Sequence, residues 1–354
     1  SYAEMEARAN RLAHHLAAQG VRPGDHVGIA MENCAEFLLA LYGIWRAGLV
    51  AVPMNAKLHA KEMAFILGNA ECRLCFCTQA IAEKLTALGN AEGPLPPIIA
   101  AGTSDFDALL RAEPVREISS PPESDAWLFY TSGTTGKPKG AELTHANLFV
   151  NCSIVVPKLL PVEPDGVMLA TLPLFHSFGQ TCIQNACLAS GASFTLLPRF
   201  TPADALAIME RDRVTHFAGV PTMYFALLHH EPERQHDLSS LRYCMSGGAP
   251  LPVEVMKAFE ARYSVPILEG YGLSETSPVA SFNVLDRPRT PGSIGYPVWG
   301  VEMQIADPEG RALPDGERGE IWIRGHNVMK GYLGRPDADA EALRDGWFRT
   351  GDVG

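Results

Sequence analysis

Tyr130-Thr-Ser-Gly-Thr-Thr-Gly-Lys-Pro-Lys-Gly140 follows the apolar run 127–130 and precedes a short strand pattern and a helix start near Thr144. An unbroken apolar run ended by a glycine-rich turn reads as a strand covered on both faces. The eleven residues hold four Ser/Thr hydroxyls, three glycines and two lysines. Glycine lets a backbone approach an anion closely, hydroxyls and amides wrap its oxygens, and lysines neutralise its charge. The segment therefore reads as a phosphate-binding turn or as an ordinary solvated loop. It is not a P-loop of the Gly-x4-Gly-Lys-Ser/Thr type. Only two residues separate Gly133 from Gly136, and Pro138, which follows Lys137, has no amide to give.

Outward from this turn the chain alternates helix and strand patterns. Residues 2–18 are amphipathic and end at Gly20 and the turn Pro23-Gly24-Asp25. Strands are expected at 26–31, 49–52 and 73–78, with helices at 35–47 and 61–67 between them. Further strands are expected at 126–130, 167–171, 193–197, 215–220, 243–246 and 266–268. Such alternation predicts an α/β fold with largely parallel sheets. After about residue 288 the texture changes. Pro288, Pro291, Gly292, Gly295, Pro297 and Gly300 cluster, and short alternating segments at 301–306, 320–324 and 347–350 are separated by turns such as Asp307-Pro308-Glu309-Gly310. A small β-rich subdomain is expected there.

The 354 residues are 47% hydrophobic and 19% charged, enough apolar side chain to bury a core and too little charge for a disordered chain. The net charge of −11 leaves no broad basic field, which argues against nucleic acid as a partner. Eight cysteines are too sparse for a disulfide scaffold. Reduced, buried thiols fit a cytoplasmic protein. The greasiest stretch, 37–54, is broken by Gly43, Arg46, Gly48 and Pro53, so no transmembrane span is expected, although peripheral membrane contact stays open. Cys72, Cys75 and Cys77 lack a second cysteine pair or a nearby histidine and read as core residues. On a strand, Cys75 and Cys77 would share one face and Cys72 the other.

The turn at 131–140 resembles the phosphate-loop signature of the adenylate-forming enzymes, a family that includes acyl-CoA synthetases. Six further segments match that family in order: Leu172-Pro-Leu-Phe-His-Ser-Phe-Gly179, Ser246-Gly-Gly-Ala-Pro-Leu251, Glu269-Gly-Tyr-Gly-Leu-Ser-Glu-Thr276, Pro291-Gly-Ser-Ile-Gly295, Gly319-Glu-Ile-Trp-Ile-Arg-Gly325 and Thr350-Gly-Asp352. The resemblance implies two covered, mostly parallel sheets with flanking helices, layered αβαβα, plus the small β-rich part. The expected division is 1–55 with 195–287, then 56–194 carrying the phosphate turn, then 288–354.

The resemblance also implies roles. Thr131, Ser132, Gly133, Thr134, Thr135, Gly136 and Lys139 would hold the β- and γ-phosphates of ATP. Gly248 and Ala249 would lie on the adenine-side loop, Tyr271 would stack on the base, and Glu269, Gly270 and Gly272 would bind the nucleotide as part of the adenylate-binding signature. Ser274, where the family pattern has threonine, would bond the α-phosphate. Glu275, with Thr134, would hold Mg²⁺, and Asp352 would accept from both ribose hydroxyls. His176 would stand beside the substrate carboxylate. The implied catalytic set is Thr134, Lys139, His176 and Glu275.

The implied reaction joins a carboxylic acid to AMP and then to CoA as co-substrate. A fatty acid of medium or long chain is the first expectation and an aryl acid of the coumarate or benzoate type the second. An amino-acid substrate is disfavoured, because Leu174-Phe175-His176 offers no carboxylate to hold an ammonium. A nucleotide-binding module without turnover is the alternative from another class. The acyl pocket is expected near 175–180, 219–223 and 243–248. Family members continue beyond the position of Asp352 into a small domain carrying a lysine and one wall of the CoA tunnel. The chain alone is therefore expected to bind nucleotide but turn over poorly. A homodimer is left open.

Overall fold

The computed structural model describes residues 1–89, 93–111, 120–131, 138–155, 159, 161–231 and 234–354. Ser132, Gly133, Thr134, Thr135 and Gly136, and with them the centre of the expected phosphate turn, lie outside the described residues. In chain order the strands are β1 (His26–Ala30), β2 (Val50–Pro53), β3 (Leu74–Cys77), β4 (Ile98–Ala100), β5 (Asp125–Thr131) and β6 (Lys139–Thr144). Next come β7 (Val167–Ala170), β8 (Ser193–Leu196), β9 (His216–Gly219), β10 (Tyr243–Ser246), β11 (Ile267–Gly272) and β12 (Val279–Phe282). The last are β13 (Tyr296–Pro297), β14 (Val301–Ala306), β15 (Glu320–Gly325), β16 (Gly331–Tyr332), β17 (Leu343–Arg344) and β18 (Trp347–Val353).

The chain forms two compact units. The first comprises Ser1–Ala146 with Lys330–Arg335. Its seven-stranded sheet runs β16-β6-β5-β2-β1-β3-β4. β5, β2, β1, β3 and β4 pair in parallel, while β6 and β16 close one edge antiparallel. Small residues let helices lie close. A Cβ on Gly28 of β1 would sit 2.6 Å from Leu67 Cδ2, on the helix Ala60–Asn69. A Cβ on Gly43 would overlap Leu12 Cδ2, where the helix Ala35–Arg46 crosses Tyr2–Ala18. Cys75 and Cys77 lie on β3 as expected, but Cys72 precedes the strand and packs into the same apolar cluster as both. Burial raises all three thiol pKa values, so they are inert core groups.

The second unit comprises Asn147–Met329 with Pro336–Gly354. Its seven-stranded sheet runs β13-β12-β11-β10-β9-β7-β8, parallel from β11 to β8 and antiparallel at β12 and β13. Alternate strand residues serve opposite faces. Phe217, Cys244 and Ile267 pack against the helices Pro202–Arg211, Pro221–His229 and Val253–Tyr263. Thr201 starts the first of these helices by accepting from Asp204 N–H at 3.1 Å, ahead of Pro202. Ala218, Met245 and Leu268 face Cys182, Ile183, Ala186 and Cys187 of the helical run 180–190. A four-stranded antiparallel sheet, β14-β15-β18-β17, completes the unit.

The expected grouping of 1–55 with 195–287 is not what forms. β1 and β2 pair with β3 and β5, inside the first unit. The β-rich segment 288–354 does build its own sheet, yet it gives β13 to the second unit's large sheet and β16 to the first unit's. Alternation fixes which residues become strands, but strand order is decided by edge pairing between distant segments.

Candidate functional site: glycine turns around Glu269 in the second unit

Glu269 organises these turns. It is buried near the middle of β11, and its carboxylate accepts from Leu251 N–H at 3.2 Å through Oε1 and from Gly292 N–H at 3.3 Å through Oε2. Its carbonyl accepts from Asn283 N–H at 2.9 Å. One side chain thus ties the Ser246–Leu251 turn and the 291–295 turn to the sheet. Burial pushes the Glu269 pKa up, partly offset by the two amides. Glu269, expected from the resemblance to belong to the nucleotide-binding signature, also clamps the two turns that flank it.

The following glycines are fixed by close packing. A Cβ on Gly270 would overlap the Phe282 ring, and one on Gly272 would overlap the Pro278 carbonyl oxygen. Gly248 takes a φ of +79°, in the left-handed region that favours glycine. It stands with Ala249 in an exposed turn beyond β10. Tyr271, half-buried, donates its hydroxyl to Asp352 Oδ2 at 2.6 Å. Burial and this bond to a carboxylate raise the phenol pKa. Asp352 itself is exposed and has its amide held by Thr350 Oγ1 at 3.0 Å, while Thr350 donates to the Ile321 carbonyl at 2.7 Å. Gly351 N–H donates to Glu320 Oε1 at 2.9 Å.

Ser274 and Glu275 lie on a single 3-10 turn, Ser274–Thr276. The Glu275 side chain is buried, and its carbonyl accepts from Met329 N–H at 2.8 Å. His176 precedes the short helix Ser177–Gly179, where its Nδ1 accepts from Phe178 N–H at 3.2 Å. With Nδ1 as acceptor, a neutral ring carries its proton on Nε2. The ring is exposed, yet crowding by surrounding protein lowers its pKa.

In the first unit, Thr131 ends β5 and Lys139 starts β6, and the two are direct antiparallel partners. Lys139 Nζ lies 4.6 Å from the centre of the Tyr332 ring, a cation–π contact. Lys330 is engaged elsewhere, 3.0 Å from Asp125 Oδ2. Asn283 was not singled out by the sequence, and Thr350 and Glu320, though inside matched segments, were given no role of their own, because their partners lie 14 to 31 residues away.

A fold of two covered parallel sheets with this series of glycine turns defines an adenylate-forming enzyme of the acid–thiol ligase class. Residues 1–333 match the sequence model of the AMP-binding enzyme family, and the chain belongs to that family. It is 40% identical over 358 residues to a feruloyl-CoA synthase of Amycolatopsis sp, covering 100% of this chain and 70% of that protein. It is 35% identical over 382 residues to a long-chain-fatty-acid–CoA ligase of Bacillus subtilis, covering 98% and 68%. The crystal structure of ATP-bound MatB from Rhodopseudomonas palustris superposes with a TM-score of 0.92 at 33% identity, covering 100% of this chain and 71% of that one. AMP-binding CoA ligases use ATP and CoA. Among the described residues no helix is long and apolar enough to cross a membrane.

Proposed function

We propose that this protein activates an apolar carboxylic acid with ATP, forming acyl-AMP and pyrophosphate, and passes the acyl group to CoA with release of AMP. The observation that carries this reading is the Tyr271–Asp352 bond, which brings an aromatic face and an exposed carboxylate to one edge beside the Glu269-clamped turns. An aromatic face suits a purine, and a carboxylate with two oxygens suits a ribose diol. In the second unit Gly248 and Ala249 line the base and Ser274 bonds the α-phosphate; the family resemblance assigns Thr131 and Lys139 of the first unit to the β- and γ-phosphates. His176 orients the substrate carboxylate through its Nε2 proton. No general base is needed, because a carboxylate is already ionised near neutral pH.

Glu275 fits a magnesium ion. Its buried carboxylate is a hard oxygen donor, and Thr134, expected to share the ion, lies outside the described residues. When bound, such an ion supplies charge neutralisation on the phosphates.

For the acid, we favour an arylpropenoic substrate. The 40% identity to a feruloyl-CoA synthase supports it, as does the uncharged polar pair beside an apolar cluster described below. A medium- or long-chain fatty acid is the second reading, favoured by the 35% identity to a long-chain ligase. ATP–pyrophosphate exchange with ferulate, cinnamate, benzoate, octanoate and palmitate tests both. Exchange with ferulate well above palmitate is expected, the reverse order would replace the first reading with the second, and no exchange with any acid would leave a nucleotide binder.

A further inference from the structure

His216 opens β9 and Tyr243 opens β10, and the two are direct partners in the parallel ladder. They are 0% and 4% exposed. Their rings meet edge to face with centroids 4.4 Å apart. Neither His216 Nε2 nor the Tyr243 hydroxyl has a hydrogen-bond partner among the described residues. Buried polar groups are almost always paired, so two adjacent orphans call for an explanation.

The donors and acceptors can be counted. His216 Nδ1 lies 2.6 Å from Thr215 Oγ1, which also accepts from Val167 N–H at 2.9 Å and faces the Val167 carbonyl at 3.1 Å. Thr215 has one hydroxyl proton. If it goes to Val167, Nδ1 carries a proton and Nε2 is a bare acceptor. If it goes to Nδ1, Nε2 is the donor. Burial lowers the His216 pKa to about 4 and raises that of Tyr243, so both rings are neutral near pH 7. Either way the pair offers donor and acceptor without charge, which complements a hydroxyl and not a carboxylate or an ammonium.

Strand alternation places the pair at the amino ends of one face of β9 and β10. His216, Ala218 and Val220 share one face, as do Tyr243, Met245 and Gly247. Ala218, Met245 and Tyr243 lie in one apolar cluster with Cys182, Ile183 and Ala186, and Val220 packs against it. At the other end, a Cβ on Gly247 would sit 3.2 Å from the Phe178 ring, whose residue is held by His176. Ligands of open α/β sheets bind at the carboxyl ends of the strands, here Gly219 and Gly247. Three strand steps, about 10 Å, separate that end from His216. A para-hydroxylated arylpropenoic acid spans a comparable length from carboxylate to phenol.

We propose that His216 and Tyr243 form a distal polar subsite that receives a neutral hydroxyl at the far end of the acid, making a para-hydroxylated arylpropenoic acid the preferred substrate. This rests on the reading of the protein as an acid-activating enzyme with an arylpropenoic substrate. The test measures equilibrium binding of three nonhydrolysable acyl-sulfamoyl-adenosines: 4-hydroxycinnamoyl, cinnamoyl and dodecanoyl. The wild type is expected to bind the hydroxylated compound at least tenfold more tightly than the cinnamoyl one, because a site built to bond a hydroxyl is left unpaired without it. Tyr243→Phe should bring the two within about twofold while leaving cinnamoyl binding nearly unchanged. Equal wild-type affinity for the two aryl compounds would overturn the subsite and leave the aryl reading standing. Dodecanoyl binding with neither aryl compound bound would overturn both. The wild-type comparison decides the matter even if the variant fails to fold.

Discussion

Tyr271 and Asp352 stand 81 residues apart in sequence and 2.6 Å apart between hydroxyl and carboxylate. The bond joins the end of β11 to β18 within the second unit. Thr350 holds the Asp352 amide, so the carboxylate is fixed at both its backbone and its side chain. A ribose diol would meet an acceptor already oriented, which lowers the ordering cost of binding.

Asp352→Ala should weaken ATP binding by roughly 10- to 150-fold, the usual size of losing hydrogen bonds to an ionised group. Tyr271→Phe keeps the ring and removes only the tether, so a loss of about 2- to 13-fold is expected. Calorimetry with ATP and 2′-deoxy-ATP checks the assignment. Asp352→Ala should bind the two equally, and a surviving preference for the ribo form would place the ribose elsewhere.

Glu269→Gln tests the clamp. A carboxylate can accept from both Leu251 and Gly292, whereas a carboxamide turns an NH₂ group toward one of those amides. The expected loss is about 1.5–3 kcal/mol of stability, with weaker ATP binding as the two turns loosen. Urea unfolding reads the first effect directly. An unchanged midpoint would show that the turns hold without the side chain.

Two glycines should respond in opposite directions. Gly272→Ala forces a methyl against the Pro278 carbonyl, a backbone atom that cannot rotate away. A loss of about 1–3 kcal/mol, as for overpacking, is expected together with weaker nucleotide binding. Gly68 lies within the helix Ala60–Asn69 with open space where a Cβ would be. Gly68→Ala should raise stability by about 0.5–1 kcal/mol. Thermal melts of both variants suffice, and a stabilised Gly272→Ala would mean the backbone there adjusts freely.

The site was legible in the sequence to the extent that its chemistry is local. The resemblance of Glu269–Thr276 and Thr350–Asp352 to the adenylate-forming enzymes pointed to this edge, and the alternation of helix and strand patterns marked β7, β9 and β10. β11 is longer than expected because Glu269-Gly-Tyr-Gly272 reads as a loop until β12 pairs with it antiparallel. What could not be read was partnership over distance. Nothing near Glu320 signals that it holds Gly351, and nothing near Gly331–Tyr332 signals pairing with Glu142 and Ala141. The division of the chain failed for the same reason: every strand of 26–53 was visible, but not its neighbours.

His216 also sets a pH response. Its pKa is lowered to about 4 because burial removes the charged imidazolium from water, with the Arg242 charge adding to the effect. In the unfolded chain an ordinary histidine titrates near 6.5. Between these values the unfolded state binds more protons than the folded one, so stability rises with pH across that window and is lost as pH falls through it. The difference amounts to about 3 kcal/mol between pH 7 and pH 4. Other histidines with lowered pKa values, His15, His145 and His176, contribute to the total slope, so the comparison must be with a variant. His216→Leu removes the titration and should flatten the denaturant-derived stability curve between pH 4 and 6.5 relative to wild type, leaving the slope above pH 7 unchanged. Parallel curves for the two proteins would mean that the buried imidazole titrates in the folded state as it does in the unfolded chain, so that burial does not hold it neutral below pH 6.5.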